Sequence, residues 1–476
     1  SLTAAFFVSA APATFADTQR YAVPGLEKEA EIVVDNYGVP HIYAQTHYDA
    51  FFVQGFNAAR DRLWQIDTWR RRGLGQLSEV FGEGYVEQDR AARLFLYRGD
   101  MYAEWLAYGS DAKRIAEAFT AGINAWLQLL GDNPELMPLE FEKLDYEPAR
   151  WQADDIVRIR SHGLWRNVAR EVERAKAYCN GQAELTELTK VLEPKWTTKV
   201  PEGLDPCSIP DNVLDDYLLA TAPVRFDSAP DLLAATVAAG RDKALRSDLG
   251  SNNWAIAPQK TTTGRPILAD DPHRAHAVPS LRYIAHLKAP GLDVIGAGEP
   301  ALPGLSIGHN KKIAFGLTIF PIDHEDLYVY ELAEDPLLAK ETSKNEETPT
   351  ATEDASTVDA STLDATKIEE SSPTEVNAAP AIDYTGYLYK GRFEPFTTVS
   401  ESINVRNAPP VSVELSYTRH GPVLLADNST GKAFAIRAAW LQPGMAPYFG
   451  SVEYMRAVDS GGDEVTNLSL GLNGRF

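Results

Sequence analysis

The pentapeptide GSNNW at 250–254 sets a serine directly behind a glycine, with an alternating run from Trp254 to Ala257 after it. Cutting the Gly250–Ser251 bond would put a hydroxyl nucleophile and a free α-amine on one residue. A serine hydroxyl is a weak nucleophile and needs a base. A free α-amine has a pKa of roughly 7.7–8.0, against about 10.4 for lysine. Near working pH it can therefore take the hydroxyl proton, directly or through one water. The uncut chain has no amine at Ser251, so activation would require the cut. The same hydroxyl could attack the Gly250 carbonyl, where glycine leaves room for close approach. Taken alone, a Gly-Ser pair is more often a turn than a maturation site.

Other chemistries are less well supplied. No Gly-x-Ser-x-Gly elbow occurs. Asp270, Asp271, His273 and His276 cluster carboxylates and imidazoles, and a metallohydrolase built on Asp271 and His273 is one alternative. That cluster lacks the helical His-Glu-x-x-His spacing, and Pro272 interrupts it. No phosphate-cradling glycine loop is evident. The chain has 476 residues and a net charge of −22, which disfavours nucleic acid and anionic membrane surfaces as partners. Hydrophobic content of 44% with nine Trp implies a sizeable packed core, in two or three domains or one large composite.

The elements that would position these residues change character along the chain. Residues 31–44 read as two short strands around an Asn/Gly/Pro turn. Residues 49–72 read as a helix, with Phe52, Phe56, Ala59, Leu63 and Ile66 on one face. Its charges, among them Arg60, Asp61, Asp67, Arg70 and Arg71, are expected on a solvated or salt-bridged helix surface. Residues 111–130 and 153–178 continue the helical pattern, the first with Ile115, Phe119, Ile123 and Trp126 as a core stripe. After Ser251 the chain turns to strands, for example at 266–269, 293–295, 312–318 and 411–417. A helical first half and a strand-rich second half imply an α+β layered fold.

Residues 1–16 read as the apolar and cleavage regions of a signal peptide remnant, with an apolar tail as the alternative. They are too short for a membrane span, and no other long apolar run appears, so a periplasmic or secreted protein is expected. Residues 17–224 form the mainly helical region. Residues 225–250 read as a linker or as a spacer removed on maturation, and 251–476 as the strand-rich region. Within the latter, residues 334–383 hold 13 acidic and three basic residues and no aromatic. That composition cannot offset its ordering entropy, so a disordered insertion between two strands is expected. The only two cysteines are Cys179 and Cys207. They exclude a cysteine-built zinc site, and either one disulfide or two thiols fits their number.

Several stretches together resemble the penicillin acylase (penicillin amidase) family of N-terminal nucleophile hydrolases. They are VVDNYGVPHI (33–42), ARDRLWQID (59–67), Arg71-Arg72, GQLSE (75–79), GSNNW (250–254), DPH (271–273), PGLSIGHN (303–310), DHEDLY (323–328) and RHGPV (419–423). The resemblance covers about residues 25–455 apart from the acidic insertion. It implies an αββα sandwich, an exported zymogen cut by autoproteolysis at Gly250–Ser251, and α and β chains that stay associated. It implies Ser251 as nucleophile with its own amine as base. His273 is implied as the group that orients the amine, and the Ile319 backbone N–H as one oxyanion donor. No organic cofactor is implied. A structural Ca²⁺ is, held by Asp323, Asp326 and the Glu325 carbonyl, with Glu173 as the ligand from the helical half and Glu171 its rival.

The implied activity is hydrolysis of a penicillin-like or other N-acyl amide, with an unprocessed, non-catalytic, calcium-stabilised binding or envelope protein of the same fold as the alternative. Arg274 and Ile307 stand where phenylacetyl-specific members carry aromatics. Phenylacetyl, glutaryl and long-chain acyl-homoserine lactone substrates therefore all stay open. The family's second oxyanion donor, an asparagine, has no recognisable counterpart around Asn467 or Asn473, and the β-chain region is expected to be truncated.

Overall fold

The computed structural model describes residues 18–161, 167–189, 197–226, 251–273, 276–318, 324–336 and 384–443. Expectations that fall elsewhere lie outside the described residues. These are the signal peptide remnant, residues 227–250 of the spacer with Gly250, Arg274, Ile319, Asp323, residues 337–383 of the acidic insertion, Asn467 and Asn473.

Strands β1 (Glu31–Val34) and β2 (Pro40–Tyr43) form a hairpin whose turn Asp35 fixes by accepting from the Tyr37 and Val39 N–H groups at 2.8 and 2.9 Å. Helices follow: α1 (His47–Leu74), α2 (Ser78–Phe81), α3 (Val86–Leu94), α4 (Met101–Leu106), α5 (Ala112–Asp132), α6 (Leu139–Leu144), α7 (Ala153–Arg158), α8 (Asn167–Cys179), α9 (Ala183–Thr189) and α10 (Asp215–Thr221). The remainder is strand: β3 (Ser251–Ile256), β4 (Ile267–Pro272), β5 (Tyr283–Ala289), β6 (Leu292–Gly298), β7 (Ile307–Asn310), β8 (Ala314–Phe315) and β9 (Glu325–Ala333). Then come β10 (Gly386–Tyr389), β11 (Arg392–Pro395), β12 (Thr397–Val405), β13 (Ala408–Thr418), β14 (Gly421–Asp427) and β15 (Lys432–Ala438). The chain is α+β, as its sequence implies.

Helix α1 starts where Thr46 Oγ1 accepts the Asp49 N–H at 3.0 Å and stops at Gly75, whose φ of 66° the other residue types rarely adopt. Its predicted face and the predicted stripe of α5 are buried in one core. Ile42, Leu287 and Val294 join that core from one face of a six-stranded sheet of order β1-β2-β5-β6-β7-β8. The seven-stranded sheet, β11-β10-β9-β15-β14-β13-β12, is antiparallel throughout. Its Leu415, Leu424, Phe434 and Ile436 pack with Leu94 of α3, Val168 and Val172 of α8, and Tyr217 and Leu218 of α10. Each core therefore joins elements from both sides of Ser251.

Three expectations change. The charges of α1 are not all at the surface: Asp67, Arg70 and Arg71 are buried. Arg71 donates to Asp67 at 2.8 Å and Arg70 to Asp155 at 2.7 Å. Asp67 also accepts from the Ala149 N–H at 2.9 Å, so these pairs tie α1 to the chain around α7. The helix expected over 153–178 is broken after Arg158, where Ile159 is extended. The physical reason is Arg160, which is fully buried and leaves the helical path to reach Glu104 at 2.6 Å and the Trp440 carbonyl at 3.1 Å. Cys179 and Cys207, left open between thiols and a bridge, are disulfide-bonded with Cα atoms 5.0 Å apart. The bridge fastens the end of α8 to the segment before α10, and closing a 28-residue separation is worth about 3–4 kcal/mol in a chain-entropy account.

The acidic insertion leaves β9 and returns at β10. These strands are hydrogen-bonded neighbours, with Ala333 opposite Gly386 and Leu332 opposite Tyr387. A short turn could join them. Replacing residues 337–383 by a four-residue turn is accordingly expected to shift the melting temperature by no more than about 2 °C, since long-loop closure costs little. A calorimetric scan showing a large drop would mean that the segment packs.

Candidate active site

Ser251 is the first residue of β3, which forms a two-stranded antiparallel ladder with β4. The register sets Ser251 opposite Pro272, Asn252 opposite Asp271 and Asn253 opposite Asp270. His273 therefore follows directly on Ser251's partner, and the ladder brings together two residues 22 apart in sequence. Ser251 is half-buried, while the His273 side chain is 43% exposed. His273 Nδ1 lies 2.9 Å from the Asp271 carbonyl oxygen, which can only accept, so Nδ1 carries the hydrogen. In the neutral ring Nε2 then keeps its lone pair and lies 3.9 Å from the Asp271 carboxylate.

The segment leading to Ile319 meets the same ladder. A Cβ built on Gly316 would stand 2.6 Å from Asn253 Nδ2 and 2.6 Å from Asp270 Oδ1. Glycine there lets the chain after β8 lie against the Asn253–Asp270 row, two residues along from Ser251. The described structure thus places Ser251 and His273 at the same end of the β3–β4 ladder and carries the chain to within three residues of Ile319.

The acidic turn is a separate structure. The Glu325 side chain is fully buried and takes hydrogen bonds from Tyr217 Oη at 3.0 Å to each oxygen, Trp440 Nε1 at 2.9 Å and the Val168 N–H at 3.3 Å. Its carbonyl accepts from Asn167 Nδ2 at 2.6 Å. One residue therefore ties α8 and α10, which precede Ser251, to β9 and the turn after β15, which follow it. Of the two glutamates on α8, Glu171 reaches β9, with Oε2 3.4 Å from the Leu327 N–H, while Glu173 is exposed. Asp326 is half-buried on β9. Among the described residues no group of three or more His, Cys, Asp or Glu side chains is arranged to hold a metal ion.

The Glu325 side chain could not be found from sequence, because its donors lie 108, 115 and 157 residues away. Glu325→Ala would leave three buried donors without an acceptor, each costing about 1–3 kcal/mol. A loss of at least about 3 kcal/mol in urea unfolding is expected, with Glu325→Gln, which keeps one acceptor oxygen, clearly milder.

A family model described as penicillin amidase matches residues 29–369 and 355–461. The chain belongs to the penicillin amidase family. Among curated relatives it is 29% identical over 428 residues to penicillin acylase 2 proenzyme of a Pseudomonas species, covering 88% of this chain and 46% of that protein. It is 30% identical over 316 residues to the acyl-homoserine lactone acylase QuiP of Pseudomonas aeruginosa, covering 65% of this chain and 35% of that protein. With penicillin G acylase of Escherichia coli it shares 26% identity over 450 residues, 87% of this chain and 47% of that protein. The chain thus spans about half or less of the length of these relatives. Among the described residues no helix is long and apolar enough to cross a membrane.

Proposed function

We propose that this is an autoprocessed amide hydrolase of an αββα sandwich fold, acting on an N-acyl amide through an acyl-enzyme on Ser251. The observation that supports it most is the β3–β4 register, which sets His273 beside the residue that heads β3. Before maturation, Ser251 Oγ attacks the Gly250 carbonyl and the backbone amide becomes an ester. Water hydrolyses the ester, leaving a new carboxylate at residue 250 and a free amine on Ser251. In turnover that amine accepts the Oγ proton as Oγ adds to the substrate carbonyl. The Ile319 N–H meets the developing oxyanion, the proton passes to the leaving amine, and water then releases the acyl group. His273 Nε2 is the acceptor that orients the amine.

Relatives named for penicillin and for acyl-homoserine lactones support the acyl amide class, and no finer substrate is assigned. Purified protein offered phenylacetyl, glutaryl and long-chain acyl amides should release the free amine from at least one. Protein that is cut but releases no amine from any of them would refute the acylase reading. The disulfide supports an oxidising compartment, in keeping with export to the periplasm or medium.

Calcium belongs to the same proposal. The donors on and beside β9 are all hard oxygens: the Asp326 and Glu171 carboxylates, the Glu325 carbonyl and, from the resemblance, Asp323. Glu171 is favoured over Glu173 because it faces β9. The ion would brace α8 to β9 and take no part in the chemistry. Excess EDTA is expected to lower the melting temperature by several degrees, with Ca²⁺ but not Mg²⁺ restoring it. An unchanged melting curve would remove the ion from the account.

A further inference from the structure

The stretch ARDRLWQID at 59–67 has no part in the proposed reaction, yet helix α1 changes course inside it. At Arg62 the backbone leaves helical geometry, with φ −140° and ψ 22°. No proline or glycine stands between Ala58 and Ile66 to cause a kink. What meets the helix there is a carbonyl from beyond Ser251. Gln65 Nε2 donates to the Ser280 carbonyl oxygen at 2.8 Å, and Arg62 Nη1 donates to the same oxygen at 3.2 Å. Arg62 Nη1 also donates to Gln65 Oε1 at 3.1 Å, so each side chain holds the other in place. Earlier in α1 the fully buried Gln54 makes a second hold. Its amide nitrogen donates to the Gly304 carbonyl at 2.9 Å and to Tyr283 Oη at 3.2 Å, and its oxygen accepts the Gly304 N–H at 2.9 Å. Helix α1 therefore grips both the segment entering β5 and the one entering β7.

Both grips fall at one end of the six-stranded sheet, and that end carries the nucleophile's ladder. Tyr283 opens β5 and pairs with Gly298, the last residue of β6, while Ile307 opens β7. Phe315 of β8 pairs with Gly308, so Gly316 continues β8 beside Ile307 at this same end. A Cβ on Gly316 would run into Asn253 and Asp270, the ladder row two residues along from Ser251. The end is cross-linked within itself as well: Arg282 lies 2.9 Å from Glu299, which accepts from Ser306 Oγ at 3.3 Å.

We infer that Arg62 and Gln65 are positioning residues for the hydrolysis proposed at Ser251. They touch no reacting atom. They fix, from the part of the chain that precedes the nucleophile, the sheet end against which the β3–β4 ladder lies. Once the Gly250–Ser251 bond is cut, donors and acceptor belong to different chains, and the clamp sets one chain's register on the other. The inference rests on Ser251 being the nucleophile. Loosening the clamp lets the ladder drift over the sheet. Such drift misaligns the reacting groups more than it weakens substrate binding, so it acts on kcat and little on KM.

The test pairs kinetics with an independent probe. Amine release is measured with whichever of phenylacetyl, glutaryl and decanoyl 4-nitroanilide the parent cleaves, per mole of cut protein. Arg62→Ala with Gln65→Ala should lower kcat about 10- to 100-fold, the scale of a displacement of about 1 Å, and leave KM within about twofold. Arg62→Lys, which keeps a donor for the Ser280 carbonyl, should retain most of the rate. Arg60→Ala should match the parent, because that guanidinium pairs with Asp61 in its own helix. Backbone hydrogen exchange needs no catalysis and is followed in the Ser251→Ala chain with and without the double substitution. Exchange in β3 and β4 should quicken roughly tenfold, with β9 and β15 unchanged. A parent that releases no amine would sink the acylase reading and leave exchange to decide the clamp. Unaltered kcat beside an active parent, unaltered exchange in the ladder, or equal quickening in β9 and β15 would each overturn the inference; the last would mean that the two side chains only stabilise the fold.

Discussion

Ser251→Ala is expected to leave a single uncut chain and to lower amide hydrolysis roughly 10³-fold or more, the scale on which serine hydrolases respond to loss of their nucleophile. The substitution acts twice. It removes the hydroxyl that attacks the Gly250 carbonyl, and without the cut the α-amine that would serve as base never forms. The fold should not suffer, because Ser251 is half-buried at the start of a short ladder and alanine keeps its backbone bonds. Denaturation of the variant should therefore match that of a parent sample held uncut. Ile319→Ala is the contrast. The proposed oxyanion donor there is a backbone N–H, so its loss of side chain should change turnover less than tenfold, whereas loss of the donor itself would cost about 10²–10³. Amine release by the two purified variants, measured side by side with the parent, checks both.

The second large effect is on folding. Helices α1 and α5 meet at two glycines. A Cβ on Gly122 would stand 1.8 Å from the Phe52 carbonyl oxygen, and one on Gly55 would stand 2.0 Å from the Phe119 carbonyl oxygen. Both obstacles are backbone, so neither can swing away, and the helices would have to separate. Glycine to alanine inside a helix normally stabilises by about 1 kcal/mol. Here the clash reverses the sign, and Gly122→Ala is expected to cost about 3 kcal/mol or more, the upper end of overpacking. Gly131→Ala in the same helix meets nothing within 4 Å and should be neutral or stabilising. Urea unfolding of the three proteins separates the readings. Equal behaviour of Gly122→Ala and Gly131→Ala would mean the helices do not cross so closely.

Legibility in the sequence followed the range of the interactions. The apolar periods of α1 and α5 predict their buried faces residue by residue, because a helix stripe is a local property. The strands flanking the acidic stretch are equally readable, since Tyr328–Tyr330 alternate and the stretch between carries no aromatic. What the periods cannot carry is which polar groups go inside. Asp67 and Arg71 look like surface charges on the helix, and only the chain around Ala149 and Tyr146, some 80 residues on, makes them a buried pair. The same holds for Arg160, whose partners Glu104 and Trp440 lie 56 and 280 residues away.

At the site, motif order singled out Ser251 and His273, and the β3–β4 register sets Pro272, the residue before His273, opposite Ser251. No motif signalled the Glu325 carboxylate, because its three donors come from α8, α10 and the turn after β15. Nor did any local pattern show what Arg62 and Gln65 hold, since the Ser280 carbonyl lies 218 and 215 residues away.

The central claim is that Ser251 becomes a chain terminus before it becomes a nucleophile. Intact-mass spectrometry of the purified protein tests it most directly. The account predicts two chains that stay together in native buffer and separate on denaturation, the later one having Ser251 as its first residue, and a single mass for Ser251→Ala. A parent protein that hydrolyses acyl amides while remaining one uncut chain, or one cut anywhere other than before Ser251, would contradict it.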